Sequence, residues 1–244
     1  MNFVKHGAGD VELSVADDIT SPRVLKEIEQ GTYEDREMKF ARQVIADGDR
    51  VLELGAGLGF VSTVVCTSKK PAYFAAVEAD ARLIPHIRRT HERNAVTGVD
   101  VINAAFVSDD DTLRKGYVEF GVTSVFWGSG INKAGNENVT TVRVDVQDAS
   151  RFIREKKINV LVADIEGGEL DLFRNLDFGP IRKIIIEIHP RVFGPEGVRE
   201  VFRMLDDNDF VYDAPNSSGP VLTFRKQKPM PRLAKRRGWF FGRK

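Results

Sequence analysis

The sequence predicts an α/β fold in which a mostly parallel β-sheet is closed by an antiparallel hairpin. Short apolar runs alternate with segments of helical periodicity, and right-handed crossovers join such strands into a parallel sheet. A turn-forming stretch at 215–220 separates the last two runs, so these two pair as a hairpin. The runs that predict strands lie at 50–54, 72–77, 99–107, 117–120, 139–144, 159–164, 183–188, 210–212 and 221–224.

Helix signals lie between these runs. Ser21-Pro22 is an N-cap and first-turn pair for a short helix to about Gln30, and a second helix is predicted from Thr32 to Gly48. Residues 1–20 show no clear period and suggest a loose arm or lid. Further helices are predicted at 81–94, 149–155 and 194–206. The predicted division of the chain is an N-terminal arm or lid at 1–30, one domain at 31–226 and a basic tail at 227–244.

Composition excludes several classes of protein. The single cysteine, Cys66, allows no intrachain disulfide and fits a reducing compartment, which we expect to be the cytoplasm. No run of eighteen apolar residues predicts a membrane span, and no basic-then-apolar signal opens the chain. The formal net charge is zero, yet nine basic residues and no acidic one follow Asp213. This tail is suited to a weak polyanion or membrane-surface contact, with a solvated end as the alternative, and no nucleic-acid partner is expected.

One glycine-rich turn predicts a cofactor site. An apolar strand ends in Glu53-x-Gly55-x-Gly57-x-Gly59 and passes into a segment that can open a helix at Phe60. Glycines permit positive φ and let backbone N–H groups approach a ligand. Phe60 stands where a dinucleotide fold would place its last glycine, which argues against NAD.

A second acid supports an adenosine-bearing cofactor. Glu78 lies nineteen residues after Gly59, at the end of the next predicted strand. A carboxylate there can accept hydrogen bonds from both ribose hydroxyls of a nucleoside, although a solvated acid at a strand end is the alternative.

The motif Asp164-Ile165-Glu166-Gly167-Gly168-Glu169 places three acids within six residues after a buried strand. Such a group is costly unless a ligand or a polar network uses it. Together with Gly31-Thr32-Tyr33-Glu34, Val51 to Phe60 and Glu187-Ile188-His189-Pro190, this motif resembles the FkbM family of S-adenosylmethionine (SAM) dependent methyltransferases. The resemblance covers roughly residues 31–224. It departs from the family pattern at Glu53 to Gly57, where the family more often has Asp-x-Gly-Ala-Asn.

The resemblance implies a Rossmann-like class I methyltransferase sandwich, SAM as cofactor, and O-methylation of a hydroxyl on a sugar or small metabolite. An N-methyltransferase on the same scaffold and a non-catalytic SAM- or nucleotide-binding module are the alternatives, and no oligomeric state is indicated. Tyr33 and Glu34 would fold over the cofactor or cap a helix, and Trp127 would wall the acceptor pocket or simply pack. The cofactor-binding residues so implied are Glu53, Gly55, Ala56, Gly57, Gly59, Glu78, Ala79, Ala105 and Asp164.

His189 is the predicted catalytic base. Asp164 would touch the SAM amino group or orient the acceptor, Glu166 would serve the acceptor, and Glu169 would begin a helix favoured by its dipole or serve the acceptor. A neutral imidazole accepts a proton near pH 7, and His189 follows a central strand at the edge where ligands bind. The alternative is that His189 braces the turn before Pro190. Asp164, Glu166 and His189 could also hold a divalent cation. Because their spacing is not tight, the sequence predicts no metal site, and His6, His86 and His91, which show no partner pattern, are expected on the surface.

Overall fold

The computed structural model describes residues 2–8, 10–16, 18–123, 129–131 and 139–227. In chain order its strands are β1 (Asn2–Lys5), β2 (Glu12–Val15), β3 (Arg50–Leu54), β4 (Tyr73–Glu78), β5 (Val99–Asn103), β6 (Ala105–Val107), β7 (Tyr117–Val122), β8 (Thr140–Asp148), β9 (Val160–Ala163), β10 (Lys183–Glu187), β11 (Phe210–Tyr212) and β12 (Val221–Lys226). Its helices are α1 (Pro22–Gln30), α2 (Asp35–Val44), α3 (Phe60–Ser68), α4 (Ile84–Arg93), α5 (Asp110–Lys115), α6 (Ala149–Lys156), α7 (Glu169–Arg174) and α8 (Pro190–Asp207).

A seven-stranded sheet in the order β11-β12-β10-β9-β3-β4-β5 forms the centre of the molecule. Strands β10, β9, β3, β4 and β5 are mutually parallel, whereas β12 runs antiparallel to both of its neighbours. The fold class expected from the sequence is therefore confirmed. From β3 the chain builds outward to β5 and then returns to place β9 on the other side of β3. In open α/β sheets, ligands bind in the crevice at this reversal, beyond the carboxyl ends of the strands.

The central strands are buried on both faces. All four residues of β9 are buried, as are the last four of β3, which explains why these strands read as continuous apolar runs. One apolar cluster joins one face of the sheet to α6, α7 and α8, and a second joins the other face to α2, α3 and α4. Because helices cover both faces of the sheet, its polar groups lie mainly at the two ends of the strands.

The first two helices follow their sequence signals with one shift. Helix α1 begins after Ser21, whose hydroxyl accepts from Val24 N, and ends at Gly31 in the left-handed conformation. Helix α2 begins at Asp35, three residues later than predicted, because Glu34 adopts a left-handed φ of 47° and turns the chain. This shift places Tyr33 and Glu34 in a loop instead of the first helical turn.

Strands β1 and β2, in the segment where the sequence suggested a loose arm or lid, form a packed hairpin. Strands β1 and β2 pair antiparallel, and Leu13 of β2 is fully buried in a cluster that includes Leu58 and Phe60 of the glycine turn. Short mixed-polarity strands carry little periodicity, so the sequence did not reveal them. The division of the chain at residue 30 stays a prediction, but the described N-terminal residues share a core with the domain.

The three histidines expected on the surface are buried, so that prediction is wrong. His6 Nε2 lies 2.9 Å from Tyr33 O, His86 Nδ1 lies 3.1 Å from Ser14 Oγ, and His91 Nε2 lies 2.9 Å from Ser62 Oγ. Each partner comes from a distant part of the chain, which no local sequence pattern can show.

A three-stranded sheet in the order β6-β8-β7 lies between β5 and β9 in the sequence. The single strand predicted at 99–107 is divided at Ala104, so β5 belongs to the central sheet and β6 to this smaller one. Trp127, predicted to wall the acceptor pocket, lies outside the described residues, as does the tail after Gln227. Among the described residues, no helix has the length and apolar character needed to cross a membrane.

Candidate functional site

A cavity of about 450 Å³ lies at the carboxyl edge of the central sheet. Its walls come from the ends of β3, β4, β9 and β10, from the loop before α2, and from the small sheet through Phe120, Ser129, Gly130 and Ile131. Its volume is typical of sites for small molecules and cofactors. Of the cofactor-binding and catalytic residues predicted from the sequence, those that line it are Gly55, Gly57, Glu78, Ala79, Ala105, Asp164, Glu166 and His189. Tyr33 and Glu34, expected over the cofactor or at a helix cap, line it as well.

The glycine turn is held against β4 by backbone hydrogen bonds. Gly55 N and Ala56 N both donate to Val77 O at 3.0 Å, and Gly57 N donates to Glu78 Oε2 at 2.9 Å. Gly55, Gly57 and Gly59 all have positive φ, between 53° and 83°. The turn therefore presents bare backbone to the cavity at Gly55 and Gly57.

Two of the three glycines are also required by packing. A Cβ on Gly55 would lie 1.7 Å from Asp164 O, at the end of the neighbouring strand. A Cβ on Gly59 would lie 3.0 Å from Ile87 Cγ2 of α4. The spacing of the motif thus reflects the close approach of β9 and α4 as well as access for a ligand.

Glu78 is fixed at the cavity edge. Its Oε1 accepts from Asp80 N at 2.8 Å, and its Oε2 accepts from Gly57 N. Burial raises the pKa of Glu78 to about 7, although these backbone donors oppose the shift. Asn103 Nδ2 donates to Glu78 O at 2.9 Å and to Ala79 O at 3.1 Å, so the chain around the acid is rigid.

Glu53, Ala56 and Gly59 do not line the cavity, although the sequence predicted that they bind the cofactor. Ala56 packs in the apolar cluster and Gly59 caps α3. Glu53 is 3% exposed and hydrogen-bonds to Ser62. Burial, followed by the charge of Glu34, raises the pKa of Glu53 well above its usual range. These residues lie behind the glycine turn, so their predicted contact with the cofactor stays a prediction.

The three predicted catalytic side chains converge. His189 Nε2 lies 3.6 Å from Asp164 Oδ1 and 3.8 Å from Glu166 Oε2. Asp164 follows β9 and His189 follows β10, and parallel strands bring their carboxyl ends to the same edge. Glu166 lies in the turn after β9 and itself adopts the left-handed conformation, with a φ of 53°.

Glu169 positions His189, a role that the sequence did not reveal. This carboxylate is fully buried, and its Oε1 accepts from His189 Nδ1 at 3.1 Å and from Ile165 N at 3.0 Å. From the sequence, Glu169 was expected to begin a helix, where the helix dipole favours an acid, or to serve the acceptor. The signal available in the sequence was an acid at a predicted helix start, within a motif that contains two other acids.

The histidine and its neighbours perturb one another's ionisation. Burial alone would lower the pKa of His189, but the hydrogen bond to Glu169 and the charges of Glu169 and Glu166 outweigh it, so the pKa is raised. Burial, followed by the charges of Glu187 and Glu166, raises the pKa of Asp164 well above its usual range. Perturbed pKa values of neighbouring groups in a cavity are typical of sites that handle protons or cations.

A second group of acids forms the facing wall. Burial raises the pKa of Glu34 to about 8 and that of Glu37 to about 7, and the charge of Glu187 contributes to both shifts. From the sequence, Glu34 was expected to fold over the cofactor or to cap a helix, and no role was assigned to Glu37 or Glu187. The strand-end position of Glu187 was a usable signal, whereas Glu34 and Glu37 reach the cavity through the loop before α2 and its first turn.

The cavity suits a cationic nucleoside. Gly55 and Gly57 offer close backbone approach and Glu78 stands at the next strand end, where a ribose would meet a carboxylate. The other acids of the lining are Glu27, Glu34, Asp35, Glu37, Asp164, Glu166 and Glu187, and its basic side chains are Arg23, Arg36 and His189. A ligand with positive charge relieves the repulsion among these acids.

The sheet order, the reversed strand β12 and the position of the cavity define a Rossmann-like fold of the class I methyltransferase type. The family described as "Methyltransferase FkbM domain" matches residues 53–212. The chain therefore belongs to the FkbM methyltransferase family, as the motifs predicted, and SAM is its cofactor.

Solved structures that resemble the chain are distant. A precorrin-6y methyltransferase from Geobacter metallireducens has 11% identity and a TM-score of 0.46, over 88% of this chain and 93% of that one. TrmK of M. capricolum, in complex with S-adenosyl-homocysteine, has 10% identity and a TM-score of 0.46, over 81% and 71%. An rRNA methylase from Streptococcus thermophilus has 11% identity and a TM-score of 0.43, over 78% and 94%. No curated protein matches the sequence.

Proposed function

We propose that this methyltransferase transfers a methyl group to a hydroxyl of a small molecule or sugar. The observation that carries the proposal is the convergence of His189, Asp164 and Glu166 in the cavity that the glycine turn borders. A hydroxyl must lose its proton to become a good nucleophile, and this cluster is the polar group best placed to take it.

Each part of the cavity then has a task. SAM supplies a methyl group on a sulfonium sulfur, whose positive charge is lost during transfer. Glu78 would accept hydrogen bonds from the ribose, and Gly55 and Gly57 would border the amino-acid end. Asp164 would orient either that end or the acceptor. His189, held by Glu169 through Nδ1, would present Nε2 to the acceptor hydroxyl.

The charge of the cavity favours a small neutral acceptor over a nucleic acid. The lining carries eight acids against two arginines and one histidine, and this excess of negative charge would repel the phosphates of a bound polynucleotide. The nine basic residues after Asp213 are nearly all in the tail beyond the described residues. RNA nevertheless belongs among the acceptors to be tested, because an rRNA methylase is among the similar structures.

The same acids favour an amine as the second candidate acceptor. An alkylammonium group would be attracted by Glu34, Glu37 and Glu187, and the methylated product would be an amine. An amine also needs to lose a proton before it attacks, so His189 would have the same task.

The proposal is tested with methyl-labelled SAM and three acceptor pools: neutral polyols and sugars, amines, and RNA. We expect label in the hydroxyl pool, and no transfer by His189→Ala, which should still bind SAM with little change in affinity. Arg191→Ala, an exposed residue on the following turn, is the matched control and should retain full activity. Label found only in amines or RNA, or unchanged turnover by His189→Ala, would overturn the proposal.

A further inference from the structure

We propose that Asp164, Glu166 and His189 form a binding site for one divalent transition-metal ion such as Mn²⁺. The sequence predicted no metal because the three residues are not closely spaced along the chain. The fold nevertheless brings one ligand atom of each within 4.8 Å of the others. The inference rests on the proposed function, since it gives the ion the task of binding the acceptor hydroxyl.

The distances in this cluster fit an ion better than hydrogen bonds. Separations of 3.6 and 3.8 Å from His189 Nε2 to Asp164 and Glu166 are too long for hydrogen bonds. Two ligands that share an ion at about 2.1 Å stand roughly 3 to 4 Å apart, depending on the angle between them. A small side-chain rotation therefore brings all three atoms onto a common centre.

The buried oxygen of Asp164 is a separate indication. Asp164 Oδ1 is shielded from solvent and accepts no hydrogen bond from any residue in the described part of the chain. A buried carboxylate oxygen without a donor is costly, and it is the Asp164 atom that faces His189 Nε2. A cation between the two removes this cost.

Glu169 orients the imidazole as metal sites commonly do. A histidine that binds a metal through one ring nitrogen usually donates the other N–H to a carboxylate. Here Nδ1 lies 3.1 Å from the buried Glu169 Oε1, and a proton on Nδ1 leaves the Nε2 lone pair directed at the two other carboxylates. Three electron-pair donors then face one another, which is unfavourable unless a proton or a metal cation lies among them, and three such donors can share one metal ion.

The set of donors selects the type of ion. One imidazole and two carboxylates suit Mn²⁺, Fe²⁺ or Zn²⁺, whereas Mg²⁺ and Ca²⁺ prefer oxygen ligands alone. Three protein ligands leave coordination positions open for water or for an acceptor oxygen. An acceptor hydroxyl bound there would lose its proton to water, and its oxygen would form the new bond to the methyl carbon as the carbon–sulfur bond breaks toward sulfur. His189 then acts as a ligand, and the ion takes over the activation of the hydroxyl.

Metal binding by the full chain, without SAM or acceptor, tests the site directly. The protein is treated with a chelator, and Mn²⁺ is added while free Mn²⁺ is followed by electron paramagnetic resonance. We expect one bound ion per chain, a loss of affinity of at least about 100-fold in Asp164→Asn and His189→Ala, and weak competition by Mg²⁺. Asp171→Asn is the matched control because Asp171, on the adjacent helix α7, is exposed and paired with Arg174.

The outcomes separate the site from the proposed function. Stoichiometric Mn²⁺ binding that is lost in both variants supports the site, even if no hydroxyl acceptor is methylated. Absence of binding up to about 1 mM Mn²⁺, or equal affinity in Asp164→Asn, His189→Ala and the control, overturns the site, even if hydroxyl methylation proceeds. Thermal unfolding of each variant shows whether a loss of binding comes from misfolding. If one variant is misfolded, Glu166→Gln provides a third, independent test of the site.

Discussion

At His189 the two nitrogens of one imidazole meet different partners. Nδ1 lies against a fully buried carboxylate, whereas Nε2 faces the cavity. As a base or as a metal ligand, His189 must be unprotonated at Nε2, so protonation abolishes either task. The negative charge of Glu169 favours the protonated form and sets the acidic limit of activity.

We therefore expect Glu169→Gln to extend activity toward acid. The amide oxygen can still accept from Nδ1, while the lost charge lowers the pKa of His189 and moves the acidic limb of the kcat profile to lower pH. Glu169→Ala should keep the pH shift but lower kcat by about 10-fold, because the ring is no longer oriented. The measurement is kcat and KM from pH 5 to pH 9, and an unmoved acidic limb in both variants would show that Glu169 is merely structural.

Among the elements, the glycine turn shows why a motif cannot be read only as a ligand site. Gly55 is needed because its missing Cβ leaves room for the carbonyl of Asp164, the residue that follows β9. We expect Gly55→Ala to destabilise the fold by about 4 kcal/mol or more, since the overlap is with backbone that cannot turn away. Urea unfolding of the protein without ligand measures the effect.

Gly98 provides the matched control for that substitution. It has a similar positive φ of 77°, and a Cβ there would meet no atom within 4 Å. Gly98→Ala therefore isolates the cost of the left-handed conformation, about 1 to 2 kcal/mol. If the two variants lose the same stability, the contact with Asp164 O has no energetic role.

The elements that could be predicted are those whose signals are local. Strand β3, helix α1 with its Ser21 cap and the closing strands follow from apolar runs, capping residues and turn residues. The β1–β2 hairpin could not be predicted, because Leu13 packs in a cluster with residues of α1, α2, α3 and the glycine turn, which are distant in the sequence. In the candidate site, the proximity of Asp164 and His189 could be predicted, because both follow parallel strands whose carboxyl ends lie at one edge of the sheet. The position of Glu34 could not, because it depends on a left-handed turn in a loop, which no sequence pattern indicates.

For the whole molecule, buried carboxylates and buried histidines make stability depend on pH in opposite directions. Glu34 keeps its proton in the folded state up to about pH 8, and Glu37 and Glu78 keep theirs up to about pH 7. In the unfolded chain these carboxyl groups lose their protons near pH 4.5. Their contribution to the free energy of unfolding therefore falls as the pH rises and is lost once the pH has passed 7 to 8. Burial lowers the pKa of His91 to about 4, so its contribution is present above pH 6.5 and is lost as the pH falls.

Between pH 6.5 and 8.5 the effect of the acids dominates, so the free energy of unfolding of the unliganded protein should fall. Glu34→Gln should flatten this fall and raise stability at pH 8.5 by about 1 to 2 kcal/mol, a value reduced for the solvent in the cavity. Chemical denaturation at several pH values gives the slope. Glu200→Gln, which removes an exposed acid paired with Arg174, should leave the slope unchanged, and an equal slope in both variants would contradict the assignment.

The acidic wall also bears on how the spent cofactor leaves. Donation of the methyl group turns a sulfonium into a neutral thioether, so the product nucleoside has one positive charge fewer than the molecule that entered. The carboxylates that attract the incoming donor consequently hold the departing one less firmly. The loss of charge would thus weaken product inhibition without any moving lid. High salt screens the attraction between the carboxylates and the sulfonium, so it should bring the affinities for donor and product closer together.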